Sequence, residues 1–308
     1  MNRERFYRLP LLILCAILCV ALLVYGRNNN NKEEKKNDPQ PLNAAYQWKS
    51  PPLPDEISFA GEKVPLERWE IKEQFDRQLT FNYYWQGEIL YILKLANRYF
   101  PMIEERLKAN DIPVDMKYLC VAESKLQNVV SRAGAAGFWQ FMPYTAPGFG
   151  LEINSEVDER YHVRKSTDAA CKYLRAAYNK LGSWTAAAAS YNCGQGGYNS
   201  NAIFQKTSNY YDLLLPEETN QYIFRILTFK YLMDNAKSLG FNLPDADGYP
   251  VIKTKEIIVN KNIPSLVSFA IEHGTTYKML KQLNPWLRGR SLSVRPGKTY
   301  TISLPQAS

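Results

Sequence analysis

From Pro65 to Asn242 apolar residues recur at helical spacing and strand signals are sparse; after Pro244 the pattern turns β-rich. Ile89, Ile92, Leu93, Ala96 and Tyr99 mark one helical face. Pro101 is expected to interrupt that helix, which resumes from Met102 to Ala109. Pro113 suits the first turn of a helix running to Ser124. Thr167 is placed as the cap of a helix that Gly182 stops, and Ser183 as the cap of Trp184–Tyr191. Pro216, Glu217 and Glu218 open a long helix, acids at its positive end, and Gly240 is expected to close it. Beyond it, Lys255–Val259 and Tyr300–Leu304 read as strands enclosing short helices over Ser265–Glu272 and Tyr277–Leu283. The expected fold class is mainly α: a helical domain over 65–242, then a small β-α-α-β domain over 251–305.

Charge separates the same regions. The chain of 308 residues has a formal net charge of +8, from 38 Lys and Arg against 30 Asp and Glu. Residues 1–38 hold seven cations and four anions, and residues 251–308 hold nine and two, so the middle is close to neutral. A nucleic-acid-binding body carries its basic excess along a central face, so nucleic acid is not an expected partner. Arg3, Arg5 and Arg8 precede an apolar run from Leu9 to Tyr25. That pattern reads as a signal or anchor over 1–26, with an uncleaved anchor preferred, and puts the body outside the cytoplasm. A membrane contact through this segment is therefore expected, followed by a polar and proline-containing linker over 27–64. Two His and five Cys, with no CxxC, HExxH or GxxxxGK[ST], give no expectation of a metal or nucleotide cofactor. Cys120 and Cys171 fall in helical patterns and read as buried small hydrophobes.

The chemistry gathers in the helical region. Met116, Leu119, Cys120 and Glu123 are spaced so that Glu123 continues the apolar face of its helix. A carboxyl group there is half desolvated, which raises its pKa and suits it to donate a proton near neutral pH. On spacing alone, a helix-end Glu reaching solvent explains the position as well. Downstream come Gly134-Ala-Ala-Gly137-Phe-Trp-Gln-Phe-Met-Pro143 and Ala189-Ser-Tyr191-Asn192-Cys-Gly194. Small residues permit close backbone approach, aromatic faces pack on sugar rings, and amides and hydroxyls bond sugar substituents.

Glu123-Ser124, GAAGFWQFMP and ASYNCG, in this order and spacing, resemble the lytic transglycosylase domain of the lysozyme superfamily over about residues 85–240. The resemblance implies a lysozyme-like (SLT) helical domain, a peptidoglycan glycan strand as substrate, and a location in the periplasm or cell envelope. It implies Glu123 as the only catalytic carboxylate, acting as acid and then base, with a 1,6-anhydromuramyl product and no cofactor. Ser131 matches the family's serine near the reacting acetamido group, although its loop is one residue shorter. Gln140 and Met142 match groove-lining positions, with Trp139 as a bulkier wall residue. Tyr191 and Asn192 match the A-Y-N-x-G motif, and Glu218 with Thr219 a pair bordering the site. Leu280–Leu287 and Arg295–Ile302 resemble a LysM module, which implies affinity for glycan containing N-acetylglucosamine. Two alternatives stay open: a lysozyme-type hydrolase, for which Glu152, Glu156 or Asp158 supplies a second carboxylate, and a non-catalytic wall-binding protein.

Overall fold

The computed structural model describes residues 49–306. The signal or anchor expected over 1–26, and the linker as far as residue 48, lie outside the described residues. Among the described residues no helix is long and apolar enough to cross a membrane.

The elements run in the order β1 (Ser58–Phe59), β2 (Glu62–Lys63), α1 (Trp69–Tyr83), α2 (Gln86–Ala109), α3 (Met116–Ser124), α4 (Val163–Leu181), α5 (Trp184–Cys193), α6 (Gln195–Gln205), α7 (Glu217–Asp234), β3 (Thr254–Val259), α8 (Leu266–Glu272), α9 (Tyr277–Leu283) and β4 (Tyr300–Pro305). α7 is the central support of the helical body. α1, α3 and α5 all pack on it. After its polar first turn it buries residues all round, among them Tyr222, Ile223, Phe224, Ile226, Leu227 and Phe229, as an interior helix does.

Three local expectations are corrected. Pro101 does not interrupt α2, which is continuous through it. Ile103 and Leu107, beyond the proline, are fully buried. Each contributes about 2 kcal/mol, enough together to offset the roughly 3 kcal/mol that an interior proline costs. Thr167 is not a cap: α4 starts at Val163, and Thr167 Oγ1, one turn in, donates to the Val163 carbonyl (2.7 Å). α7 ends at Asp234, before Gly240, which instead makes a left-handed turn further on (φ 91°). Gly194 (φ 78°) makes a sharp junction after α5, and α6 begins at Gln195.

The end of the expected linker is also corrected. β1 and β2 pair antiparallel, Phe59 and Val64 sit in the main core, and Glu62 reaches the start of α5. Its carboxylate accepts from Ser183 Oγ (2.8 Å), Trp184 N (2.6 Å), Thr185 N (2.9 Å) and Thr185 Oγ1 (2.6 Å). Ser183 caps the same helix, accepting from Ala186 N, as its sequence position suggests. Burial alone would raise Glu62, but the donors from Thr185, Trp184 and Ser183 hold it below the usual carboxylate range.

At the carboxy terminus β3 and β4 form an antiparallel pair in which Ile257 faces Ile302, with α8 and α9 between them in sequence. The four elements coincide with those read from the sequence. The lobe core of Leu266, Ala270, Leu280, Ile302 and Leu304 also takes in Ala136, Val157 and Tyr161 from the helical body. The lobe is therefore docked rather than tethered. Asp158 N donates to the Trp286 carbonyl (2.9 Å), and Arg288 N to the Glu156 carbonyl (2.7 Å).

Candidate active site

α3 carries Glu123 because its preceding face is anchored. Met116, Leu119 and Cys120 are fully buried, and the helix then ends on two consecutive left-handed residues, Lys125 (φ 55°) and Leu126 (φ 59°). Glu123 emerges half-buried and meets α7, where Tyr222 Oη donates to its Oε1. Burial pushes the Glu123 carboxyl up to about 7, with nearby Glu218 adding to the rise; the Tyr222 bond and the Arg225 charge oppose it. The phenol of Tyr222 is itself buried and raised well above its ordinary value, so it stays a donor. The sequence reading missed Tyr222. Its signal is the fourth position after Glu218, one turn along the same helix.

The loop from Ser131 to Met142 forms the neighbouring wall. Gly137 is left-handed (φ 84°), and a Cβ there would stand 1.9 Å from the Arg160 carbonyl oxygen, so no side chain fits. Gln140 is also left-handed (φ 48°), and its amide donates to the carbonyls of Gly137 (2.7 Å) and Val129 (3.0 Å). Arg160 ties the loop ends, donating to Gly134 O (2.8 Å) and Phe141 O (3.1 Å) while paired with Asp158 (2.7 Å). Trp139 is corrected: it is not a groove wall. It is 0 % exposed, and its Nε1 donates to Thr167 Oγ1 (2.9 Å) inside the core. What it presents toward the site is its carbonyl, which accepts from Tyr191 Oη (2.8 Å).

A hollow of about 300 Å³ is lined by Gln140, Phe141, Met142, Tyr191, Asn192 and Gly194, among others. Four expected site residues are thus brought together. Asn192 extends the group to α7, its Nδ2 donating to Glu218 (3.3 Å) and its Oδ1 accepting from Thr219 Oγ1 (2.7 Å). Ser131 is exposed and does not line this hollow; its hydroxyl oxygen accepts from Ala135 N (3.0 Å), which leaves its proton free to donate. Another hollow, about 720 Å³ beside Phe100, Lys117 and Tyr118, contains none of these residues.

The carboxylates considered for a hydrolase are engaged elsewhere. Glu152 accepts from Lys298 and from Tyr300 Oη (3.0 Å) in the carboxy-terminal lobe, and Glu156 accepts from Ser291 and from Ser293 N (2.7 Å). Asp158 pairs with Arg160. Among the described residues no group of three His, Cys, Asp or Glu could hold a metal ion.

A helical body presenting one acidic Glu, a small-residue loop and a Tyr-Asn pair, followed by a docked β-α-α-β lobe, matches two known domain families. Residues 101–213 match the transglycosylase SLT domain, and residues 255–308 the soluble lytic transglycosylase C-terminal LysM-like domain. The chain therefore carries an SLT transglycosylase domain and a LysM-like carboxy-terminal domain. It is 28% identical over 255 residues to the membrane-bound lytic murein transglycosylase D of Escherichia coli (strain K12), covering 80% of this chain and 54% of that protein. The same values hold for its counterpart in Escherichia coli O6:H1. A putative tributyltin chloride resistance protein of Alteromonas sp. (strain M-1) is 28% identical over 103 residues, 33% of this chain and 50% of that one. The chain spans about half the length of these relatives.

Proposed function

We propose that this chain is a peptidoglycan lytic transglycosylase. It cleaves the β-1,4 bond between N-acetylmuramic acid and N-acetylglucosamine and leaves a 1,6-anhydromuramyl end. The observation that carries this reading is the Glu123 carboxyl, held at about 7 by burial beside a single phenolic donor. A group at that value is protonated often enough to give a proton near neutrality and basic enough to take one back.

In the first step the Glu123 proton passes to the glycosidic oxygen, the C1–O bond breaks, and the muramyl acetamido oxygen bonds to C1. In the second, the Glu123 carboxylate removes the proton of the C6 hydroxyl of the same sugar. The C6 oxygen then displaces the acetamido oxygen at C1, and Glu123 ends as it began. Tyr222 steadies the carboxylate between the steps. Tyr191, whose proton is committed to the Trp139 carbonyl, keeps lone pairs to accept the acetamido N–H. Ser131 offers its free proton to the acetamido oxygen, and Gln140, Met142 and Asn192 hold the glycan. The carboxy-terminal lobe adds glycan affinity. The segment over 1–26 places the enzyme in the cell envelope, at the membrane, in keeping with a relative named as membrane-bound.

The test is digestion of purified sacculi followed by mass spectrometry. Anhydromuramyl ends are expected from the native protein, and Glu123→Gln should lower the rate by about 10³-fold while the protein stays folded. Reducing muramic ends would replace this reading with a hydrolase, and no cleavage by the native protein would end it.

A further inference from the structure

A second hollow, of about 380 Å³, lies at the end of the helix that carries Glu123 and is not part of the groove described above. Its lining includes Ala122 and Lys125 of the α3 end, Gln221 and Arg225 of α7, and Phe81 and Trp85 around the end of α1. Ala122 and Lys125 flank Glu123 in the chain, as Gln221 and Arg225 flank Tyr222. Along α7 the order is then Glu218 and Thr219 at the Asn192 hollow, Tyr222 at Glu123, and Arg225 at the second hollow. A rise of 1.5 Å per residue puts Arg225 about 10 Å along the axis from Glu218. From α7 the two hollows are therefore reached on opposite sides of Tyr222, the residue that holds the acid.

Their chemistry differs. Glu218 stands at the first; no carboxylate lines the second. Three cations do. Lys125 pairs with Glu88 and lies 5.1 Å over the Trp85 ring. Arg77 is 3.7 Å from Glu217, both largely exposed. Arg225 is half-buried and makes no salt bridge among the described residues, although its charge reaches the Glu123 carboxyl. Beside these charges, Phe81 and Trp85 are 65% and 60% exposed, large apolar faces left in solvent.

We propose that this hollow is a carboxylate-recognising subsite beside the catalytic centre, in which the Arg225 guanidinium binds a carboxylate carried by a muramyl sugar of the strand beyond the cleaved bond. This rests on the glycan-cleaving reading above. A muramyl sugar bears a lactyl ether whose carboxyl is either joined to an acidic peptide or free, so either source offers the same planar partner to a planar fork of donors. Phe81 and Trp85 cover the apolar atoms next to it.

Binding separates this subsite from catalysis. In full-length protein carrying Glu123→Gln, affinity is measured for three glycan fractions: peptide-bearing, peptide-free, and peptide-bearing with its carboxyls converted to neutral amides. Adding Arg225→Gln should weaken an acidic fraction about tenfold and leave the neutral one unchanged. Arg225→Lys, which keeps the charge and loses the fork, should fall between. A loss confined to the peptide-bearing fraction assigns the carboxylate to the peptide; loss with the peptide-free fraction assigns it to the lactyl group. Equal loss on all three fractions, or on none, overturns the subsite. With Glu123 intact, Arg225→Gln should raise KM far more than it lowers kcat at pH 5.5, where Glu123 is protonated. Native protein that binds glycan but never cleaves it would sink the catalytic reading alone; cleavage indifferent to Arg225 on acidic substrate would sink the subsite alone.

Discussion

Glu123 on α3 and Glu152 on the loop before α4 are carboxyl groups that the same fold takes partly out of water. For both, burial is the largest influence and pushes the pKa up. Glu123 receives one phenolic hydrogen bond and ends at about 7. Glu152 receives the Lys298 ammonium and the Tyr300 hydroxyl, with Lys298 and Arg295 adding charge, and ends below the usual carboxylate range. The number and charge of the donors decide whether a desolvated carboxyl works as an acid near neutrality or as a fixed anion holding two parts of a protein together. Glu62, with four donors at the start of α5, falls on the same side as Glu152.

The largest effect that probes this contrast is on stability, at Glu123 itself. Between its ordinary value of 4.5 and about 7 the native carboxyl keeps a proton that the unfolded chain has lost. Stability from this group is therefore full at low pH and falls as pH rises through that window. The loss approaches about 3 kcal/mol at pH 8. Glu123→Gln removes the ionisation and still offers an amide oxygen to Tyr222. It should melt higher than the native protein at pH 8 and close to it at pH 4.5. A variant that melts lower at pH 8 would mean that Glu123 is stabilised as an anion, like Glu152.

The complementary change is Glu152→Gln, which should cost about 2 kcal/mol at pH 7 by removing charge from the Lys298 and Tyr300 bonds. The sign with pH is opposite. A lowered carboxylate contributes its stability above its unfolded value and loses it as pH falls through the folded one. The gap between native and variant in chemical denaturation should therefore close on acidification. A gap that persists at pH 3 would assign the loss to packing at the lobe junction rather than to charge.

Parts of this contrast are legible in sequence, and others are not. The apolar spacing of Met116, Leu119 and Cys120 marks Glu123 as half-desolvated, because a helix fixes which residues share a face. A loop motif and a helix-end motif bring Gln140, Met142, Tyr191 and Asn192 to one hollow, as their family pattern implies. Glu62 is invisible because its hairpin has two-residue strands, too short for any periodicity to show. Trp139 misleads because an aromatic in a loop of small residues reads as an exposed platform, whereas the contact of Gly137 with the Arg160 carbonyl belongs to a loop turned inward. Glu152 and Glu156 read as candidate catalytic acids because sequence distance cannot reveal that a lobe more than 130 residues downstream supplies their donors.

Tyr222 offers the smallest and most specific test. Among the described residues its hydrogen bond is the one that Glu123 accepts, and it lowers the pKa against the larger effect of burial. In the native protein kcat/KM should fall as pH rises through about 7, because the general acid is then ionised. Tyr222→Phe removes only the donor. The native carboxylate loses stabilisation, so the alkaline limb should move to higher pH by about one pH unit, the equivalent of one neutral hydrogen bond. The plateau rate should fall about tenfold, since the same bond steadies the carboxylate after it has given its proton. A merely structural role for Tyr222 would lower the amount of folded enzyme and leave the limb where it was. A limb that moves to lower pH would mean that burial is not what holds the Glu123 proton, and the contrast with Glu152 would then need a different cause.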